Sequence, residues 1–203
     1  MSHVTQNQQY ANEIMICCSP ALPMRNDPKE KSEMVSQVLY GEEVEILEKT
    51  EKWLRIKVLY DGYEGWVDIK GITIPNKSQS TNKVIVSNLW EKLTLEGDKQ
   101  FWLPAGSEIE PGILDKKPIK TPSIQASILE TAHMFLGIPY LWGGRSSFGV
   151  DCSGLVQTVF KIHGIKLPRD AKDQAKIGSN VEFFDHVQPA DLIFFGEPSK
   201  SII

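Results

Sequence analysis

The sequence has 203 residues, of which 41% are hydrophobic and 9% aromatic, and its formal net charge is -4. This length suits one large domain or two to three small ones, with enough apolar residues to bury a core. An acidic balance without a basic stretch excludes a nucleic-acid-binding protein. No apolar run reaches the roughly 20 residues that a membrane-spanning helix needs. A small, neutral or mildly charged ligand fits this composition better.

The cysteines and the N-terminal residues give information on cofactors and location. Cys17 and Cys18 are adjacent and Cys152 is far from both, so the sequence contains neither a disulfide framework nor a Cys-x-x-Cys metal site. We therefore expect no metal and no other cofactor. Residues 1–12 are polar and lack the basic and apolar regions of a signal peptide. This predicts a cytoplasmic protein, with a periplasmic or extracellular location as the alternative if a signal was removed.

Residues 13–75 are predicted to form a small β-structure, because apolar and polar residues alternate with a period of two. Such alternation is typical of a sheet with one buried face. Asp61-Gly62 supplies a turn between the last two strands, since glycine adopts positive φ without steric cost. Strands are expected near residues 44–48, 53–59 and 65–69.

Residues 76–120 begin with a polar linker and continue with short β-like pieces that glycine and proline separate. The pieces are expected at residues 83–89, 100–103 and 107–114. This stretch lacks a glycine–tryptophan signature like Gly65-Trp66 of the preceding β-structure. Two interpretations therefore stay open: a degenerate second module of the same kind as residues 13–75, or a β extension packed between its neighbours.

Helical periodicity begins at Thr121-Pro122, where threonine can cap a helix and proline suits its first position. This helix is expected to end at Gly137. A second helix should run from near Cys152 to Gly164. Asp170 is expected to cap a shorter helix that ends at Ile177, and residues 191–196 are predicted to form a strand. The C-terminal part therefore looks like an α+β domain.

Cys152 follows the glycine-rich loop 143–151 and begins an amphipathic helix. The unpaired N–H groups and the positive dipole end of a helix N-terminus favour a thiolate. The same amides can line an oxyanion hole in acyl transfer. A lone cysteine is more often an inert, small apolar residue of a core. The loop and the helix start favour a catalytic nucleophile here.

Two sets of motifs resemble known families. Residues 41–44 (Gly-Glu-Glu-Val), 53–56 and 61–67 resemble a bacterial SH3 (SH3b) domain that covers residues 12–75. Five further motifs resemble the NlpC/P60 family of papain-like cysteine peptidases over residues 121–203. These are residues 139–144 (Pro-Tyr-Leu-Trp-Gly-Gly), 151–157 (Asp-Cys-Ser-Gly-Leu-Val-Gln), 167–170 (Leu-Pro-Arg-Asp), Gln174 and 189–195. The resemblance implies an α+β protein with one or two small SH3-like β-barrels followed by a partial papain-like domain.

The resemblance also implies a reaction and a set of site residues. Members with SH3b modules hydrolyse the bond between γ-D-Glu and a diamino acid in murein peptides that carry a free N-terminal L-Ala. Cys152 would be the nucleophile, and Tyr140 would orient it or stabilise the oxyanion. The residues implied in substrate binding are Asp170, Glu33 and Tyr63, which would hold the free amine, and Ser153.

The sequence contains no convincing general base for Cys152. In the family, the catalytic histidine lies on a strand after residues 191–195, so here it is expected beyond Ile203 or absent. His163 is 11 residues from Cys152 on the same predicted helix, or about 16 Å at 1.5 Å per residue, which excludes direct proton transfer.

Three functions stay open at this point. The first is a peptidase that is inactive or weakly active as this chain, and the second is an inactive protein that binds murein peptides. The third is a wall-tethering SH3b protein. The oligomeric state is likewise open.

Overall fold

The computed structural model describes residues 13–75, 83–94, 100–111 and 124–196. The N-terminal part is a seven-stranded sheet with the strand order β3-β2-β6-β5-β4-β1-β7, in which all paired strands are antiparallel. A 3₁₀ turn, Ile69–Gly71, precedes the last strand. The strands are β1 (Ile14–Cys17), β2 (Ala21–Arg25), β3 (Met34–Leu39), β4 (Glu43–Lys49), β5 (Trp53–Val58), β6 (Glu64–Asp68) and β7 (Ile72–Thr73).

The three strands predicted from alternation correspond to β4, β5 and β6. Leu54, Ile56 and Val58 are buried, whereas Arg55 between them is exposed, as the period of two requires. Asp61 and Gly62 form the turn between β5 and β6. The N–H of Tyr63 donates to Oδ1 of Asp61 at 3.0 Å, which fixes the chain where it leaves that turn.

A second β unit consists of two antiparallel strand pairs with their own small apolar core. Its strands are β8 (Val84–Ile85), β9 (Trp90–Thr94), β10 (Gln100–Pro104) and β11 (Glu108–Ile109), paired as β8 with β11 and β9 with β10. Of the predicted pieces, 83–89 contains β8, 100–103 lies in β10, and 107–114 contains β11, although residues 112–114 lie outside the described residues. The unit contacts the C-terminal part through Ser147, whose hydroxyl donates to the carbonyl oxygen of Leu89 at 2.6 Å.

Residues 124–196 of the C-terminal part form three helices and one short hairpin. They are α1 (Ile124–Met134), β12 (Arg145–Ser146), β13 (Gly149–Val150), α2 (Cys152–Ile162) and α3 (Ala171–Gln174), followed by a 3₁₀ turn at Phe184–His186. Helix α2 begins and ends close to where the sequence predicts. The predicted start of α1 at Thr121 lies outside the described residues. Helix α3 ends three residues before the predicted Ile177.

The predicted strand at residues 191–196 is wrong. This stretch has no regular secondary structure, and the side chains of Ile193 and Phe195 are 58% and 79% exposed. A β-strand exists only where a neighbouring strand completes its hydrogen bonds. In the described part of the chain, no strand lies alongside this stretch.

A buried ionic cluster joins the N-terminal sheet to the C-terminal part. The carboxylate of Glu42 accepts hydrogen bonds from Nη1 and Nη2 of Arg145 at 3.2 and 2.9 Å, and from Nζ of Lys161 at 2.6 Å. All three side chains are almost fully shielded from solvent. Glu42 follows β3, while Lys161 lies in the last turn of α2, so the cluster fixes the sheet against the helix that begins with Cys152. None of the helices in the described ranges is long and apolar enough to span a bilayer.

Candidate active site

Cys152 is the first residue of α2, and its side chain is exposed. The preceding residue, Asp151, has extended backbone geometry and is the N-cap of the helix. Its Oδ1 accepts a hydrogen bond from the N–H of Gly154 at 2.7 Å, and its Oδ2 accepts one from the N–H of Gly143 at 3.0 Å. One carboxylate therefore connects the glycine-rich loop to the helix start that presents the thiol.

Gly143 brings this loop into direct contact with the N-terminal sheet. Its φ is +75°, in the left-handed region that favours glycine, and a Cβ at this position would collide with the carbonyl oxygen of Met34 in β3. Gly154 is needed for a different reason, because a Cβ there would collide with the carbonyl oxygen of Gly144. The loop, the helix start and β3 are therefore packed backbone against backbone around the thiol.

The six predicted site residues line one pocket of about 320 Å³. Cys152, Ser153 and Tyr140 come from the start of α2 and the loop before it. Glu33 and Tyr63 directly precede β3 and β6 of the N-terminal sheet, and Asp170 comes from the start of α3. The pocket is also lined by residues to which the sequence assigned no role: Val35, Trp142, Gly143, Asp151, Arg169, Ala171 and Lys172.

Arg169 is the principal residue of this region that sequence reasoning missed. Its side chain is buried, and it donates to both carboxylate oxygens of Asp151 at 3.1 and 2.6 Å, to the hydroxyl of Ser153 at 2.9 Å and to that of Ser36 in β3 at 3.0 Å. Arg169 is part of the Leu-Pro-Arg-Asp motif, which was the available signal. The Ser153 hydroxyl also donates to Asp151, so the structure gives this predicted substrate-binding group two protein partners.

Two carboxylates from different parts of the chain face the pocket. Oε1 of Glu33 accepts a hydrogen bond from Nε1 of Trp142 at 2.8 Å. Asp170 occupies the N-cap position of α3, but its side chain makes no capping hydrogen bond. Burial, and then the negative charge of Asp170, raise the pKa of Tyr63 to about 12, so Tyr63 is a neutral phenol at physiological pH. The pocket therefore combines acidic groups with a proton donor.

No histidine of the described residues lines this pocket. His163 contacts the hydroxyls of Thr131 and Ser127 at 2.8 and 3.4 Å, and Nδ1 of His133 contacts the carbonyl oxygen of Leu129 at 2.8 Å. His186 packs edge-on against Phe183. His3 lies outside the described residues. Within the described ranges, no group of three or more His, Cys, Asp or Glu side chains is arranged to hold a metal ion.

The environment of Tyr63 predicts a loss of stability at high pH. The folded protein holds the phenolic proton up to a pKa of about 12, whereas a phenol in an unfolded chain has a pKa of about 10. The contribution to stability is therefore fully present below pH ~10 and is lost as the pH rises through ~12. Between pH 9 and pH 11, the free energy of unfolding measured with urea should fall less for Tyr63→Phe than for the parent. Equal decreases would contradict a raised pKa for Tyr63.

Two family models match this chain. The NlpC/P60 family matches residues 137–202, and the bacterial dipeptidyl-peptidase SH3 domain matches residues 24–72. Curated relatives include the γ-D-glutamyl-L-lysine dipeptidyl-peptidases of Bacillus cereus and Bacillus subtilis. The Bacillus cereus protein is 32% identical over 81% of this chain, which spans 60% of that protein's length. The Bacillus subtilis protein is 32% identical over 83% of this chain, which spans 66% of that protein's length.

A solved structure has the same fold over nearly the whole chain. It is the crystal structure of an NlpC/P60 family protein from Bacillus cereus, which superimposes with a TM-score of 0.83 at 23% identity and covers 94% of this chain and 86% of that one. The sequence matches fall on the two parts that meet at the pocket, and the structural match extends over both. The chain therefore carries an NlpC/P60 domain behind a bacterial SH3 domain.

Proposed function

We propose that this protein is a cysteine peptidase that hydrolyses the bond between γ-D-Glu and the following diamino acid in murein peptides with a free N-terminal L-Ala. The observation that carries this proposal is the pocket in which the exposed thiol of Cys152 is accompanied by the carboxylates of Glu33 and Asp170. Carboxylates opposite an ammonium group form charge-assisted hydrogen bonds. The similarity to γ-D-glutamyl-L-lysine dipeptidyl-peptidases supports the substrate class.

The proposed reaction has two steps. The thiolate of Cys152 attacks the γ-carbonyl carbon, the C–N bond breaks, and the leaving amine takes up a proton. Water then hydrolyses the thioester and restores the thiol. Backbone N–H groups near the helix start and the Tyr140 hydroxyl would stabilise the oxyanion. Since no histidine of the described residues lines the pocket, proton transfer would be carried out by a base outside them.

The placement of the histidines favours a second candidate function, which is binding of murein peptides without hydrolysis. The amine-binding carboxylates and the pocket need no base in order to hold a peptide. The two functions differ in one measurement. Calorimetric binding of L-Ala-γ-D-Glu-L-Lys without release of L-lysine would favour the binding protein.

A free N-terminal amine is expected to be required for cleavage. L-Ala-γ-D-Glu-L-Lys should be hydrolysed roughly 10- to 100-fold faster, in kcat/KM, than its N-acetylated analogue, because hydrogen bonds to charged groups contribute about 1.5–3 kcal/mol. Asp170→Asn should reduce this preference. The matched control is Asp173→Asn, which alters an exposed carboxylate that pairs with Lys176. Equal cleavage of the free and acetylated peptides would rule out the amine site.

A further inference from the structure

One buried ion pair lies in the wall of the pocket, next to both of its halves. Its members are Asp151 and Arg169, and each immediately precedes a predicted site residue in the chain. Asp151 is followed by Cys152, and Arg169 is followed by Asp170. The carboxylate and the guanidinium make two hydrogen bonds, at 2.6 and 3.1 Å. The backbone positions of the thiol and of the amine-binding carboxylate are therefore connected through this pair.

Further hydrogen bonds support this connection. Besides Asp151, Arg169 binds the hydroxyls of Ser153 and of Ser36, so its planar fork is held on three sides. Gln174 forms a second link between the same two segments. Its Nε2 donates to the carbonyl oxygen of Ser153 at 3.0 Å and to that of Pro168 at 2.9 Å.

We propose that Arg169 is a positioning residue that sets the spacing between the Asp170 carboxylate and the Cys152 thiol, and thereby the length of peptide released from the N-terminus. This inference rests on the proposed function. A peptide anchored by its amine at Asp170 presents to the thiol only the carbonyl group that lies at this fixed distance. Reaction requires an approach to about 3–3.5 Å, so a shift of about 1 Å is enough to disrupt it.

Arg169→Lys is the informative variant. Lysine keeps the positive charge, but its single ammonium cannot reproduce the bidentate contact with Asp151 together with the contact to Ser36. The amine site and the thiol should each keep their own properties in this variant. What should be lost is the alignment of the amine site with the thiol. A general loss of structure would instead reduce amine binding and change thiol reactivity as well.

The test uses the product dipeptide L-Ala-γ-D-Glu as the probe and iodoacetamide as the thiol reagent. In the parent, saturating dipeptide should slow alkylation of Cys152 about tenfold or more, because the bound γ-carboxylate lies at the thiol. Cys18 is exposed, lies outside the pocket and serves as the internal reference in peptide mapping. Arg169→Lys should bind the dipeptide with an affinity within about threefold of the parent's. Without the dipeptide, its Cys152 should be alkylated at the parent's rate, but saturating dipeptide should slow this alkylation only slightly.

Turnover provides the second readout. For L-Ala-γ-D-Glu-L-Lys, Arg169→Lys should lower kcat about tenfold or more with little change in KM. The matched control is Arg55→Lys, which alters an exposed arginine–carboxylate pair with Glu64 on the N-terminal sheet. This control should keep the parent's shielding, kcat and KM.

Each other outcome has a defined meaning. Full shielding of Cys152 in Arg169→Lys would overturn the positioning role, and so would a parallel loss of dipeptide affinity, which would make Arg169 a support of the amine site alone. If the parent binds no dipeptide, the proposed function fails and the inference fails with it. If Arg169→Lys does not fold, Ser36→Ala replaces it, since it removes only the contact to Nε. Ser36→Ala should reduce shielding, and unchanged shielding would overturn the proposal.

Discussion

Replacement of Glu42 by glutamine is expected to lower the free energy of unfolding by about 3–5 kcal/mol, the usual cost of breaking a buried ion pair by removing one partner. The Glu42 carboxylate is completely buried and balances two buried cations, Arg145 and Lys161, at 2.9 and 2.6 Å. Glutamine has nearly the same size, so the packing is retained while Arg145 loses its counter-charge and Lys161 keeps only that of Glu108, at 2.9 Å. Urea unfolding at pH 7, followed by tryptophan fluorescence, measures the difference.

The neighbouring Glu43 provides the matched control. Its side chain is 45% exposed and pairs with Lys83 at 2.9 Å, so Glu43→Gln should change stability by no more than about 1 kcal/mol. Equal losses for the two variants would show that burial of the Glu42 cluster is not what makes it important for stability.

The pH dependence of the Glu42 variant gives an independent check. Burial alone would raise the pKa of Glu42, but the charges of Arg145 and Lys161 outweigh it and lower the pKa below the ordinary value of 4.5. The stabilisation is thus present above the unfolded-state pKa and is lost as the pH falls through the folded-state pKa. The parent should therefore lose its advantage over Glu42→Gln on acidification below pH ~4.5.

The β-structure could be predicted only where one face of a strand is wet. Strands β4 to β6 alternate between buried and exposed positions, so their sequences carry the period of two. Strand β3 does not, because it is covered on both sides. Val38 packs in the core of the sheet, whereas Ser36 and Gln37 bind Arg169 and Arg145 of the C-terminal part. Strand β2 contains Pro23, and a proline argues against a strand in the sequence pattern, so β2 was not predicted.

The candidate site was predictable where its residues lie in short local motifs and not where it depends on distant contacts. The glycine loop, the cap and the thiol are contiguous in sequence, and the structure places the six predicted residues around one pocket. The contact between Trp142 and Glu33 spans 109 residues, so no local pattern can report it. Arg169 stood within a recognised motif, but its partners Asp151 and Ser36 become apparent only when the chain is folded.

Cys152→Ala is expected to abolish hydrolysis of L-Ala-γ-D-Glu-L-Lys, with a loss in kcat on the order of 10⁴-fold or more, because the remaining groups cannot form the covalent intermediate. Alanine suits the first turn of a helix, and the Asp151 cap bonds Gly154 and Gly143 rather than the thiol. The pocket should therefore persist, and calorimetry should find affinity for the peptide within about threefold of the parent.

Cys18→Ala is the matched control, because this second exposed thiol lies outside the pocket and donates to the carbonyl oxygen of Lys70. Cys17 is no alternative nucleophile, since burial raises the pKa of its thiol and keeps it protonated. If Cys152→Ala still cleaves the peptide at the parent's rate, the nucleophile is another group. If it loses peptide affinity together with turnover, the thiol is needed to maintain the pocket, and the kinetic loss cannot be assigned to chemistry. Only lost turnover with retained binding identifies Cys152 as the attacking group.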